Sequence, residues 1–136
     1  MASSVNQEPI GREPSPLKGV RVLVVEDAWH VAKALKAALE HLGMCVSGPA
    51  ATTGEARRLI AGQTPTVALV DVNLKRELAC DLIGELHALG VRVVVISGYA
   101  VPPIPVEKVA IVLQKPFSAS ELVAALQTVM AGDRLH

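Results

Sequence analysis

One pattern governs this chain. From Gly19 onward a short run of aliphatic, mostly β-branched residues is followed by a turn and then an amphipathic stretch, and the unit recurs five times. Runs that are apolar without alternation suit strands buried on both faces, and the amphipathic stretches between them suit helices that cover those faces. Composition agrees: 51% of the residues are hydrophobic but only 2% are aromatic, so the core must be built from Val, Leu, Ile and Ala. A length of 136 residues fits one such domain and leaves little room for a second.

The spacing predicts strands over 20–25, 44–47, 66–70 (with Asp71 at the strand's end), 91–96 and 110–113. A helix is predicted over 28–42, where Val31, Leu35, Ala38, Leu39 and Leu42 recur at helical spacing and Gly43 supplies a stop. Thr52 with Glu55, and Ser118 with Glu121, have the capping-box spacing and open helices running to about residues 61 and 131. Leu78, Leu82, Leu86 and Leu89 mark a further helix. Between the fourth and fifth strands a helix is expected by rhythm, but Pro102, Pro103 and Pro105 remove donors and clash with preceding turns, so a loop or one irregular turn is predicted there. Residues 1–18, rich in Pro, Ser, Glu and Gln, read as a mobile tail, and 19–136 as the folded domain.

Strands alternating with helices in this way imply right-handed crossovers and a parallel sheet. The fold class is therefore α/β: a five-stranded, doubly wound, flavodoxin-like sheet in the order 2-1-3-4-5. Ligands of such sheets sit outside the carboxyl ends of the strands, where the order switches between strands 1 and 3.

Charge and cysteines narrow the function. Lys plus Arg equals Asp plus Glu at 13 each, which removes the electrostatic support for a nucleic-acid or membrane-surface role. Cys45 and Cys80 have no metal-ligand spacing and read as reduced core residues of a cytoplasmic protein. No apolar run approaches the roughly 18 to 20 residues of a membrane span, and no secretion signal stands at the N-terminus.

At the predicted strand ends stand Glu26-Asp27, Asp71-Val72-Asn73, Ser97-Gly98 and Lys115-Pro116. Singly each has an ordinary reading as a cap or turn residue. Jointly they bring three carboxylates, a hydroxyl and an ammonium to one end of the sheet. Three carboxylates in an apolar frame repel one another unless a cation neutralises them. Mg²⁺, a hard ion that keeps open positions for a phosphoryl oxygen, is the economical choice. Such a site could move a phosphoryl group onto a carboxylate nucleophile.

The segments RVLVVED, ALVDVNL, VVVISGYA and LQKPF stand in the order and at about the spacing of the response-regulator receiver domain of two-component signalling, which the chain resembles over about 19–131. The resemblance implies Asp71 as phosphoacceptor. It implies a Mg²⁺ site of Glu26, Asp27, Asp71 and the backbone carbonyl of Asn73, with Ser97 and Lys115 on the phosphoryl oxygens. Pro116 is similar to a proline that often follows a cis bond. Val112 stands where the family usually carries an aromatic switch partner, and ISGYA resembles a subgroup whose fourth strand ends F-A-T-G-G/Y-Y, which marks Tyr99 as switch-coupled. That subgroup implies an unstable helix after strand 4 and a sensor histidine kinase of the HWE or related type. The resemblance further implies self-phosphorylation and autodephosphorylation rather than turnover of a free substrate. Output would come through docking to a downstream protein, through phosphotransfer, or through a homodimer. The alternative from the binding-module class is a receiver-like docking domain indifferent to phosphorylation. An aspartate-nucleophile phosphatase of the haloacid-dehalogenase type is disfavoured, because Asn73 stands where that class has its second Asp.

Overall fold

A computed structural model describes residues 16–74, 79–98 and 104–132. Five strands, β1 (Arg21–Val25), β2 (Cys45–Ala50), β3 (Val67–Asp71), β4 (Arg92–Ser97) and β5 (Ile111–Gln114), form one parallel sheet in the order β2-β1-β3-β4-β5. Helices α1 (Trp29–His41), α2 (Thr53–Gly62), α3 (Cys80–Ala88) and α4 (Ala119–Gly132) cover it. The predicted topology is thus the observed one.

Successive strand residues point to opposite faces, and the core divides accordingly. Val22, Val24, Leu69 and Ile96 pack with Leu35 and Leu39 of α1 and Leu122 and Leu126 of α4. Val25, Val70, Val93 and Val95 pack with Ala56 of α2 and Leu82, Ile83 and Leu86 of α3. One capping box forms in full and the other in a shifted form. Glu121 N–H donates to Ser118 Oγ at 3.1 Å while Ser118 N–H donates to Glu121 Oε1 at 2.8 Å. Glu55 N–H donates to Thr52 Oγ1 at 3.1 Å, and the returning Glu55 carboxylate accepts instead from Ala51 N–H at 2.7 Å.

In the crossover from β4 to β5, the helical piece among the described residues is a single 3-10 turn, Val106–Lys108. Ile104 and Val109 pack on the core beside it. The prediction that prolines leave one irregular turn here agrees with what is described, and Tyr99 lies outside the described residues.

Four sequence expectations need correction. β2 does not stop at Ser47 but runs on through Gly48 and Pro49 to Ala50. A Gly-Pro pair reads as a breaker, yet β2 is an edge strand, where a missing donor is tolerated. Leu17, assigned to the tail, is buried in the core next to Leu39 and Met44, and its carbonyl accepts from Val20 N–H at 3.1 Å, so the ordered chain includes residues 16–18. Expectations for residues 1–15 lie outside the described residues. Cys45 is exposed at the start of the edge strand and Cys80 is half-buried at the start of α3, so neither is a core residue, and no disulfide joins them. Leu89 falls on the C-cap of α3 and is 54% exposed, because the helix ends one residue before the heptad-like spacing would turn it inward.

The extension of β2 matters for the site. Gly48 has φ +94°, and a Cβ there would sit 2.8 Å from Ala50 N and 3.0 Å from Val24 O. This bulge shifts the register so that Val25 pairs with Ala50, and Glu26 N–H then donates to Ala50 O at 2.9 Å. Glycine at 48 therefore fixes where the residue after β1 lies. Gly48→Ala should cost about 2 kcal/mol or more, from a left-handed φ and backbone overlap together. Gly62→Ala, where the added methyl meets nothing, should be neutral or slightly stabilising. Urea midpoints of the two variants against wild type check the contrast.

Candidate phosphoryl and metal site

Each strand end contributes one group because parallel strands all finish on the same side. β1 ends into Glu26 and Asp27, β3 ends on Asp71, β4 on Ser97, and β5 leads into Lys115. Adjacent pairing of β1, β3, β4 and β5 brings them together, and Lys115 N–H donating to Ser97 O at 2.8 Å ties the last two strands at the site.

Carboxylate oxygens of Glu26, Asp27 and Asp71 all lie within 4.8 Å of one another. Asp71 is buried. Its Oδ2 accepts from Lys115 Nζ at 2.8 Å and its Oδ1 from the backbone N–H of Asn73, also at 2.8 Å. Glu26 is buried too. Its Oε2 accepts from Ala28 N–H at 3.2 Å, whereas Oε1 has no hydrogen-bond partner and sees the Lys115 ammonium only at 3.8 Å. Ser97 is fully buried at the end of β4, while Lys115 is part-exposed.

The electrostatics separate the two buried acids. Burial is the main force pushing Glu26 up to about 7, and Asp71 adds to it through contact of the two carboxyl groups and like charge, against the opposing pull of Ala28 N–H and Lys115. For Asp71, burial also acts upward, but hydrogen bonds from Lys115 and the Asn73 N–H outweigh it and hold the group below the ordinary carboxylate range. Burial acts to lower Lys115, yet its contact with Asp71 and the charges of Asp71, Glu26 and Asp27 raise it above the usual lysine value. At neutral pH Asp71 is therefore an anion facing an ammonium, and Glu26 is the acid most readily left protonated.

The donor set suits a hard divalent ion. It consists of carboxylate oxygens with a backbone carbonyl nearby in sequence, and one buried oxygen, Glu26 Oε1, lacks a hydrogen-bond donor. A cation placed among the three acids would supply the missing partner and offset the burial and like charge that keep Glu26 near 7.

Among the residues singled out from sequence, Glu26, Asp27, Asp71, Ser97 and Lys115 all stand at this end of the sheet, and Asn73 reaches it through its backbone. Pro116 follows a cis Lys115-Pro116 bond, as the motif implies, and is exposed. Two contributors were not singled out: Ala28 enters by an N–H group, which carries no side-chain signature, and Ala50 by a carbonyl set by the Gly48 bulge. Trp29 projects beside the site with 72% of its surface exposed, and the Lys33 ammonium lies 5.7 Å from its ring centroid.

In metal-free protein the folded-state shift of Glu26 makes its stability contribution fully present below pH 4.5 and lost as pH rises to about 7. Asp71 acts in the opposite sense, contributing above its ordinary 3.8 and losing that contribution as pH falls through its lowered folded value. In chelator, stability should therefore fall by about 2 kcal/mol as pH rises from 4.5 to 7, and Glu26→Gln should flatten that slope, as read by urea midpoints across the window.

The family model of the response regulator receiver domain matches residues 22–127. No curated protein matches. Among solved structures, a CheY-like receiver domain protein from Methanospirillum hungatei JF-1 is 24% identical at TM-score 0.77, covering 86% of this chain and 98% of that one. A response regulator from Burkholderia pseudomallei, solved with a phosphorylated aspartic acid, a calcium ion and citrate, is 28% identical at TM-score 0.72, covering 85% and 71%. The response regulator PhyR from Brucella abortus is 23% identical at TM-score 0.75, and the likeness covers 98% of this chain but 55% of PhyR, so the chain spans about half that protein's length.

Proposed function

The chain belongs to the response regulator receiver domain family, and on that premise we propose that it accepts a phosphoryl group on Asp71 from the phosphohistidine of a sensor histidine kinase and changes its protein contacts in response. The observation that carries this reading is the Lys115–Asp71 contact of 2.8 Å inside a cluster of three acids. An isolated salt bridge at a strand end would not need the two additional carboxylates.

The residues divide the work. Asp71, held ionised by Lys115 and the Asn73 N–H, is the nucleophile. Its Oδ attacks phosphorus, the N–P bond of the donor breaks, and the imidazole leaves and takes up a proton. When bound, Mg²⁺ neutralises the acids and orients the phosphoryl oxygens; Glu26, Asp27, Asp71 and the Asn73 carbonyl would hold it. The aspartyl phosphate carries more negative charge than the carboxylate it replaces. Lys115 then pairs with a phosphoryl oxygen, and the buried Ser97 hydroxyl donates a second charge-assisted bond.

Because Lys115 N–H is bonded to Ser97 O, a shift of either moves the end of β4, the crossover that follows it, and the face made by β5 and α4. That bias of a few kcal/mol is what one or two such bonds provide. The chemistry is self-modification followed by hydrolysis, not turnover of a free substrate. A cytoplasmic HWE-type kinase as donor, and a downstream protein, a phosphotransfer partner or a second copy as reader, complete the proposal. Among the described residues no helix is long and apolar enough to cross a membrane.

Incubation with phosphoramidate and Mg²⁺, followed by mass spectrometry, should place one phosphoryl group on the peptide containing Asp71. Asp71→Asn should abolish it, and Lys115→Ala should slow it tenfold or more. Wild type that takes up no phosphoryl group and shows no change in Trp29 fluorescence with beryllofluoride would favour the phosphorylation-independent docking module instead.

A further inference from the structure

α2 and α3 lie side by side on one face of the sheet, and a groove of about 430 Å³ opens between their outer sides. Ile60, Ala61 and Thr64 line it from the α2 side and Leu89 from the end of α3. One helical turn earlier on each helix, Arg57 and Glu85 bridge it. We infer that this face joins two copies of the chain in a twofold dimer, with Leu89 of each copy seated in the groove of the other. The association needs no phosphoryl group, so the inference goes beyond the phosphoacceptor reading and does not depend on it.

Two observations mark the face as an interface. Leu89 is 54% exposed, and it and Trp29 are the exposed large hydrophobic side chains among the described residues. The surface around Leu89 is also free of charge: no Asp, Glu, Lys or Arg stands in 59–70 or 88–91, although 61–64 and 88–90 are exposed. Exposed surface with an apolar centre and no charge has the composition of an interface core, from which charged residues are depleted.

Shape and charge select a second copy as the occupant. A twofold contact sets one patch against itself, so that patch must carry both a projection and the hollow that receives it. Leu89 and the α2 side of the groove supply both on one face, where a different partner would need only one of them. The charged rim is already closed on itself, because Arg57 donates to Glu85 through Nε at 2.9 Å and through Nη2 at 2.8 Å. A strongly acidic or basic partner therefore gains little here, whereas a second copy, with 13 basic and 13 acidic residues, approaches without long-range repulsion. Leu89 and Thr64 each stand three positions before the strand that follows, β4 and β3, at the opposite end of the sheet from Asp71 and Lys115. Copies joined here leave both acceptor sites and the face made by β5 and α4 open.

Sedimentation velocity of the full chain from about 10 μM to about 1 mM tests this. Wild type should pass from monomer toward dimer across that range, and Asp71→Asn should do the same. Mg²⁺ with beryllofluoride should leave the dimer Kd within about threefold. Leu89→Ser removes the projection, and Leu89→Lys sets a charge in the groove that a helix C-terminus tolerates in the monomer. Each should raise Kd tenfold or more while Trp29→Ala leaves it unchanged, with urea midpoints establishing that all the variants are folded. A wild type that stays monomeric throughout, a dimer indifferent to both Leu89 changes or equally weakened by Trp29→Ala, or association that appears with beryllofluoride alone would overturn the inference.

Discussion

Three carboxylates held within 4.8 Å of one another at the end of an apolar sheet are the constraint around which this molecule is arranged. Like charges so close, two of them buried, cannot all ionise without a compensating cation. One compensation comes from within: Lys115 reaches Asp71 at 2.8 Å and keeps it anionic, while Glu26 is left near 7 with an oxygen that no donor satisfies. A metal ion is the second compensation this arrangement calls for. The division leaves Asp71 anionic and Glu26 readily protonated, set by environment rather than by residue type.

The scaffold makes the convergence possible. Pairing β1, β3, β4 and β5 side by side lets residues from stretches 18 to 45 positions apart finish at one edge. Aliphatic side chains fill both sides of the sheet, with Phe117 packed against one of the two clusters. The Gly48 bulge sets the last detail, placing Ala50 O where Glu26 N–H can reach it.

Much of this is legible in the sequence because it rests on patterns with a physical period. Five apolar runs, two capping boxes and a strand-ending Asp71 specify the sheet order and which end carries the chemistry. Side chains with charge, such as Asp27 and Lys115, announce themselves at those ends. What stays hidden depends on context that no local pattern encodes. Gly48-Pro49 reads as a break but serves as an edge-strand bulge; Leu17 lacks neighbours of its own kind and finds its partners across the fold; Leu89 and Cys45 obey the pattern yet land outside the core, one past a helix end and one on an edge. The unequal protonation of Glu26 and Asp71 is likewise invisible until Lys115, 44 positions after Asp71, is seen to hydrogen-bond Asp71 at 2.8 Å and to stand 3.8 Å from Glu26.

The need for a cation is tested most directly by thermal unfolding in Mg²⁺ and in chelator. A site that binds Mg²⁺ in the folded state alone makes the wild-type Tm climb with each tenfold increase in Mg²⁺, and Asp27→Asn should remove that climb while leaving the chelator value nearly unchanged. A wild-type Tm indifferent to Mg²⁺, or an equal climb in Asp27→Asn, would contradict the view that these acids are assembled around a metal.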